Sequence, residues 1–210
     1  MDHLIFAVPD LDAGVRYVEE LLGVSTEPGG VHQGLGTRNR LVGLGDRSYL
    51  EVVSVDPEQE DPERPRWFGL DDLDEPRLAT WCCAVSTEGP LVGLPALVRA
   101  GRGAGIDLGD TVAGSRETAD GSMLRWRMTD PWADRAGGVI PFFIDWGATP
   151  HPAASLPAVS RFVELRIEHP DAEQIEDWLW FLGLDTPVTQ GDAPRIIATL
   201  ETPNGLVELS

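Results

Sequence analysis

The chain contains no lysine; its sixteen basic residues are all arginine, set against thirty-five acids, for a formal net charge of −19. A field of that sign repels phosphate backbones and anionic lipids, so nucleic acid and membrane surfaces are excluded as expected partners. Part of the charge is local, in Asp56 to Glu63 and Asp71 to Glu75, which read as solvated loops. Cysteine is scarce: there are two, Cys82 and Cys83, adjacent in sequence. Neighbours on a strand point to opposite faces, so the pair is read as buried, unbridged strand residues in a reducing compartment. No apolar run approaches the ~20 residues a membrane span needs. The N-terminus, MDHLIFAVPDLD, lacks the basic region and small-residue cleavage site of a signal peptide. These absences predict a cytoplasmic globular protein whose partner is a small molecule.

What is present is a repeat. The 210 residues suffice for one large domain or two small ones. Residues 2–8 form an apolar strand-like run, and Asp10 is a good N-cap for an amphipathic helix carrying Val15, Val18, Leu21 and Leu22, stopped by Gly23. A Gly-rich turn at Pro28-Gly29-Gly30 leads to VHQGLGTRNRLVGLG, and the turn Leu44-Gly45-Asp46-Arg47 joins it to the strand RSYLEVVSV. The order is β-α-β-β-β. After an acidic, Pro- and Trp-containing linker or lid over 56–77, the pattern returns: a strand at 80–86, a helix over 89–101 with Pro95 set to kink it, and strands at 122–130 and 139–147. A Pro-rich linker, 148–159, precedes a third pass with a strand at 161–169, a helix over 170–183 and a hairpin over 195–209. Aligning the passes pairs His3 with Glu164 and Glu51 with Glu208. A half-barrel cannot cover its own apolar face, so the repeat predicts modules set side by side. The fold class is therefore α+β: repeated βαβββ modules forming a curved mixed sheet around a cleft, with helices on the outer face. The paired modules occupy 1–150 (about 1–56 and 78–150), and 158–210 is a third, partial module packed on or completing the fold.

The opening DHLIFAVPDLDAG with its helix ending in LLG, followed by GGVHQGLGTRNRLVGLGDRSYLEVV, LRWRM and PFFIDWG, resembles the glyoxalase-like subgroup of the vicinal-oxygen-chelate superfamily over about residues 2–152. The resemblance implies a paired βαβββ fold with a site on the concave sheet. It implies a divalent metal (Fe, Mn, Zn or Ni) held by His3 and Glu51, with substrate oxygens completing the shell. The second module departs from the pattern, offering Thr80 where the first has His3 and only Asp145 near the Glu51 position.

Read for chemistry, Glu51 lies in an apolar strand, where a carboxylate needs a metal, an arginine or a proton. His32, in GGVHQGLG, sits where glycines let a ligand approach closely, although such loops often only turn. Asp145, flanked by large apolar residues in FFIDW, is a candidate base or ligand with a raised pKa, unless an arginine across the sheet pairs with it. Alternation leaves a choice on two strands. Either Arg38 and Arg40, with Arg125 and Arg127, line the cleft and favour an anionic substrate, or Asn39 and Trp126 point inward and the arginines face solvent. The candidate catalytic residues are Glu51, Asp145 and His32, and the candidate substrate-binding residues are Asn39, Arg40, Arg125 and Trp126. The expected function is a metal-dependent lyase, isomerase or dioxygenase of a small oxygenated metabolite. The rival reading is a metal-free protein that binds or sequesters a small molecule. The third module is left over once two have paired, so it is expected to cover an edge, pair with another chain as a homodimer, or be degenerate.

Overall fold

The computed structural model describes residues 1–45, 47–118 and 121–210. Module one consists of β1 (His3–Ala7), α1 (Leu11–Leu22), β2 (Glu27–His32), β3 (Thr37–Gly43) and β4 (Tyr49–Val55). Module two repeats that order with β5 (Arg77–Ala84), α2 (Leu94–Gly103), β6 (Thr111–Thr118), β7 (Met123–Thr129) and β8 (Phe142–Asp145). In each module the first strand pairs in parallel with the last, β1 with β4 and β5 with β8. The modules join through two antiparallel seams, β1 with β5 and β2 with β6, which close an eight-stranded barrel in the order β1-β4-β3-β2-β6-β7-β8-β5.

Closure explains why β1 reads as a continuous apolar run. Its outward residues Leu4 and Phe6 enter one core cluster with α1, α2 and the C-terminal segment, while Ile5 and Ala7 enter a second cluster inside the barrel. A strand covered on both faces has no polar side to alternate. The start of α1 is fixed by Asp10, whose carboxylate accepts from the Ala13 amide at 2.8 Å. Its end is fixed by Gly23 at φ 70°, a left-handed position that costs glycine no Cβ clash. Leu11, Val18 and Leu22 are buried beneath the helix.

Several expectations are corrected. The second helix begins at Leu94, so Pro95 lies in its first turn, where the missing N–H costs nothing, and no kink arises. The glycines expected to turn lie within β2, whose pairing with β3 shifts register between Pro28 and Gly30. Of the expected turn over Leu44–Arg47, Asp46 lies outside the described residues; Leu44 donates to Ser48 O at 2.9 Å across it. Strand β6 was not anticipated, because TVAGSRET shows no clear apolar alternation.

The C-terminal segment holds β9 (Arg161–His169), α3 (Ala172–Phe181), β10 (Val188–Gln190), β11 (Arg195–Thr202) and β12 (Gly205–Leu209). The element order matches a module, but the connectivity does not: these strands form a separate sheet ordered β10-β9-β11-β12. The first strand meets the third, not the last, so Glu164 sits opposite Thr199, which sits opposite Glu208. The pairing of these glutamates with His3 and Glu51 therefore fails. Glu208 instead takes the exposed guanidinium of Arg166 at 2.6 Å.

Candidate functional site

The barrel interior holds an apolar cavity with one polar wall, and that wall comes almost entirely from module one. Because alternate residues of a strand share a face, β4 turns Tyr49 and Glu51 inward, β3 turns Asn39 inward, and His3 and His32 enter from β1 and β2. All five are buried, as is Arg116 from β6.

Glu51 is the centre of the group. Its Oε2 lies 4.0 Å from His3 Nε2 and its Oε1 3.9 Å from His32 Nε2. Both separations are too long for hydrogen bonds. Asn39 Nδ2 donates to Glu51 Oε1 at 2.7 Å. The orientation of that amide follows from its other side: Asn39 Oδ1 accepts from the Gly30 amide at 2.8 Å and from Arg116 Nη1 at 3.0 Å, both of which can only donate. Arg116 thus acts on Glu51 through Asn39.

The remaining ring nitrogens are held from behind. His3 Nδ1 lies 2.7 Å from Asp2 Oδ1, and His32 Nδ1 lies 2.9 Å from Thr37 Oγ1. Asp2 is itself fixed, with Trp146 Nε1 donating to its Oδ2 at 3.1 Å and His151 Nε2 at 3.1 Å from the same oxygen. Burial acts to raise the Asp2 pKa, but His151 and His3 beside it outweigh this and hold the carboxyl well below the ordinary aspartate range. An ionised Asp2 can only accept, so His3 Nδ1 donates to it, and Nε2 is the ring nitrogen that faces the cavity. Burial pushes His32 down to about 4 against the pull of Glu51, so this ring is neutral at physiological pH. The Tyr49 hydroxyl is pushed well above its ordinary value by burial and by the charges of Glu51 and Asp2. Tyr49 stacks on the His3 ring at a centroid distance of 4.6 Å and stiffens it.

Asp2, His3 and Cys82 also bring potential ligand atoms within 4.8 Å of one another. The chemistry of that trio is poor for a cation. Both Asp2 oxygens are already engaged, and burial pushes the Cys82 thiol well above its ordinary value, keeping it protonated. Asp2 positions His3 and does not compete with it.

The rest of the wall is aromatic and aliphatic. Trp126, Met128, Phe142 and Ile144 come from module two, and Trp67 and Phe68 from the linker between the modules. Trp126 requires Gly114 directly opposite on β6, since a Cβ there would lie 2.3 Å from the indole Nε1. Trp67 and Phe68 belong to a short 3-10 turn, Trp67–Asp72, that closes over the barrel mouth. Phe68 is held at φ 60°, a left-handed conformation costly for an aromatic residue. Arg66 anchors the turn: its Nε donates to Gly36 O at 3.0 Å, and its guanidinium pairs with Asp61 at 2.7 Å and Asp71 at 2.6 Å. With the turn seated, the free space is about 30 Å³. Trp67 and Phe68 are among the residues that narrow this space.

Of the residues singled out from the sequence, the structure brings together His3, His32, Asn39, Glu51 and Trp126. Three are placed elsewhere. Arg40 turns away from the cavity and donates to Thr26 O at 2.6 Å. Arg125 is exposed on the outer face of β7. Asp145 is exposed, and its carboxylate caps the Gly147 amide at 2.9 Å. The physical reason is one of sidedness. On β3 and β7 the arginines take the outer face and Asn39 and Trp126 the inner one, so no basic wall of Arg40 and Arg125 exists. Sequence reading missed Asp2, Tyr49, Arg116 and His151. Asp2 and Tyr49 could have been found from their positions beside His3 and two before Glu51. Arg116 and His151 lay in segments without readable periodicity.

A closed barrel of two βαβββ modules whose polar residues converge inward defines a vicinal-oxygen-chelate protein. More narrowly, the chain belongs to the glyoxalase-like domain family, whose model matches residues 1–182. That match ends inside the C-terminal segment, at the close of α3. Among solved structures, the chain is similar to a hypothetical protein from Staphylococcus aureus, at 16% identity and a TM-score of 0.59, over 99% of this chain and 83% of that one. It is also similar to methylmalonyl-CoA epimerase from Mycobacterium tuberculosis (23% identity, TM-score 0.41, 68% of this chain and 85% of that one). A third likeness is to Streptomyces coelicolor methylmalonyl-CoA epimerase in complex with 2-nitronate-propionyl-CoA (22% identity, TM-score 0.45, 72% of this chain and 97% of that one). At these identities the likeness is one of fold. No curated protein matches the chain. Among the described residues, no helix is long and apolar enough to cross a membrane.

Proposed function

We propose that this protein is a divalent-metal-dependent lyase, isomerase or dioxygenase of a small oxygenated metabolite, with His3, His32 and Glu51 holding the ion. The observation that carries this reading is the meeting of two imidazole nitrogens and a carboxylate in one buried cluster, at separations too long for hydrogen bonds. His3 Nε2 and His32 Nε2 face the two oxygens of a buried carboxylate at 4.0 and 3.9 Å. At this spacing neither ring bonds the carboxylate directly, and a cation among the three groups would draw on all of them. Two imidazoles and one carboxylate suit Fe(II), Mn(II), Zn(II) or Ni(II) and leave coordination positions open. A bound ion supplies Lewis-acid polarisation of vicinal substrate oxygens. The chain's own residues do the rest. Asp2 and Thr37 set the ring orientations, Asn39 and Arg116 hold Glu51 in place, and Trp67, Phe68 and Trp126 exclude water from the reacting centre.

Metal content of protein purified without chelator tests this reading. Close to one equivalent is expected in the wild type, with losses in His3→Ala, His32→Ala and Glu51→Ala. Wild-type protein without metal would overturn it. That result would favour the rival reading of a metal-free sequestering protein, for which the aromatic lining of the cavity is the supporting observation. The proposal extends to a cytoplasmic homodimer. On α3, Trp180 is 73% exposed and Phe181 43%, an apolar step that a second copy would cover. Light scattering at micromolar concentration tests it, and a monomer would refute it.

A further inference from the structure

Behind the aromatic partition formed by Trp67, Phe68 and Phe142 lies a second cleft, of about 320 Å³, floored by the loop Pro131–Gly138. Its distinctive feature is Arg135, which is only 6% exposed. Among the described residues no carboxylate pairs with its guanidinium, and its Nε and Nη1 have no hydrogen-bond partner. Its one bond is from Nη2 to Pro131 O at 3.3 Å, and its charge stands 5.4 Å from the centre of the Phe142 ring. A buried cation left in this state is costly. Burial lowers its pKa to about 10, still far above neutrality, so the charge is not shed.

The backbone holds this arrangement in place. Ala136, Gly137 and Gly138 all have positive φ, at 53°, 69° and 93°. The Gly138 and Ile140 amides both donate to Arg135 O, at 3.1 and 3.2 Å. The loop is thus wound against its own preference at Ala136, with Arg135 pinned at its start. The other charges at the cleft are accounted for. Arg66 is neutralised by Asp61 and Asp71, and Asp134 caps the Ala136 amide at 3.1 Å. Arg77 is exposed at the rim, where it donates to Phe68 O at 3.2 Å.

We propose that this cleft is an oxyanion-binding site, in which Arg135 takes a carboxylate or phosphate group with Arg77 at the rim. The Arg135 guanidinium is short of acceptors at Nε and Nη1, and the oxygens of such a group would supply them. The proposal stands apart from the reading of the barrel, because none of the barrel's polar donors lines this cleft. The anion arrives either free or as one arm of an organic molecule. Trp132, whose ring lies 6.2 Å from that of Trp67, gives an organic arm a surface to rest on.

Calorimetric titration of the full chain with inorganic phosphate, acetate and phenyl phosphate tests the site. Saturable binding of at least one is expected, weakened at least tenfold in Arg135→Met. Phenyl phosphate binding at least tenfold tighter than inorganic phosphate identifies an organic arm; equal affinities identify a free anion. Arg135→Met should keep or raise the wild-type melting temperature, since it removes an unpaired buried charge, whereas an arginine serving only the fold would lower it. Should that variant fail to fold, amide shifts of the wild type on adding phosphate decide. Shifts clustered at 66–69 and 131–138 support the site. No saturable binding of any probe, or binding that Arg135→Met leaves unchanged, would overturn it.

Discussion

The Nδ1 atom of His3 lies 2.7 Å from the carboxylate of Asp2, its immediate neighbour in sequence. Adjacent residues on a strand ordinarily point to opposite faces. Here Asp2 precedes the first strand residue, which frees its side chain to fold back behind the ring. The contact makes Nδ1 the donor to Asp2 and leaves Nε2 as the ring nitrogen that faces Glu51.

Asp2→Asn keeps the shape of the contact and removes the charge that draws the proton to Nδ1. Metal affinity, measured by competition with a chromophoric chelator, is expected to fall about 10- to 100-fold, as second-layer changes at metal-bound histidines generally do. Unchanged affinity would show that His3 is oriented by stacking on Tyr49 alone.

Asn39→Leu is nearly isosteric but removes the amide that joins Arg116 to Glu51. It leaves the Gly30 amide, one guanidinium N–H and one carboxylate oxygen without their partners in a buried site. A loss of about 1–3 kcal/mol in urea unfolding is expected, with the slope m unchanged. Asn39→Asp should be worse for metal-free protein, because it sets a second carboxylate against Glu51, and adding metal should reverse part of that loss.

Gly114→Ala adds one methyl group at a place where the Trp126 indole already sits 2.3 Å from the new Cβ. The ring must move into the cavity or the β6–β7 pair must separate. Overpacking of this kind costs about 1–3 kcal/mol. Near-ultraviolet circular dichroism, which reports tryptophan environment, should change even where the fold survives.

Arg66→Ala should loosen the turn over the barrel mouth while changing global stability by less than about 1 kcal/mol, since the ion pairs it loses are partly exposed. Faster amide exchange confined to residues 66–72 is the expected signature. A pH effect accompanies it. Burial acts to raise Asp71, but the hydrogen bonds from Arg66 outweigh this and hold its pKa below the ordinary aspartate value. A carboxylate depressed in the folded state contributes above its unfolded value, about 3.9, and loses that contribution as pH falls through the folded one. The wild-type turn should therefore loosen below about pH 4, and Arg66→Ala should show no such step. An identical step in both proteins would exclude the Arg66–Asp71 pair as the anchor.

Much of the first module is legible in the sequence because its signals are local. Asp10 and Gly23 mark the two ends of α1 by capping chemistry, and the unbroken apolar run of β1 announces a strand covered on both faces. Sidedness is another matter. Alternation on TRNRL and LRWRM divides each strand into two faces without saying which is inner, and only barrel closure decides it. The arginine faces went outward, where Arg40 reaches Thr26 and Arg127 reaches Thr111. Strand β6 was illegible because glycine, serine and threonine dilute its pattern, and Arg116 went unread with it. His151 belongs to a Pro-rich connector whose only structural signal was irregularity, yet its ring lies 3.1 Å from Asp2 by virtue of a chain reversal no local pattern encodes. The C-terminal segment misled in the opposite way. Its element order copies a module, but hydrogen-bonding order is set by which strand edges meet, and there β9 meets β11.

The two halves of the barrel contribute unlike things to one cavity. His3, His32, Asn39, Tyr49 and Glu51 come from the first module, whereas Trp126, Met128, Phe142 and Ile144 come from the second. Reactivity and fit are thereby placed on separate stretches of chain that meet along two seams. Substitutions in β7 and β8 can resize the chamber while the donors keep their spacing, and new ligands can be sought by randomising four positions that bear no charge. A barrel built from two unequal copies is, in this sense, already partitioned for redesign.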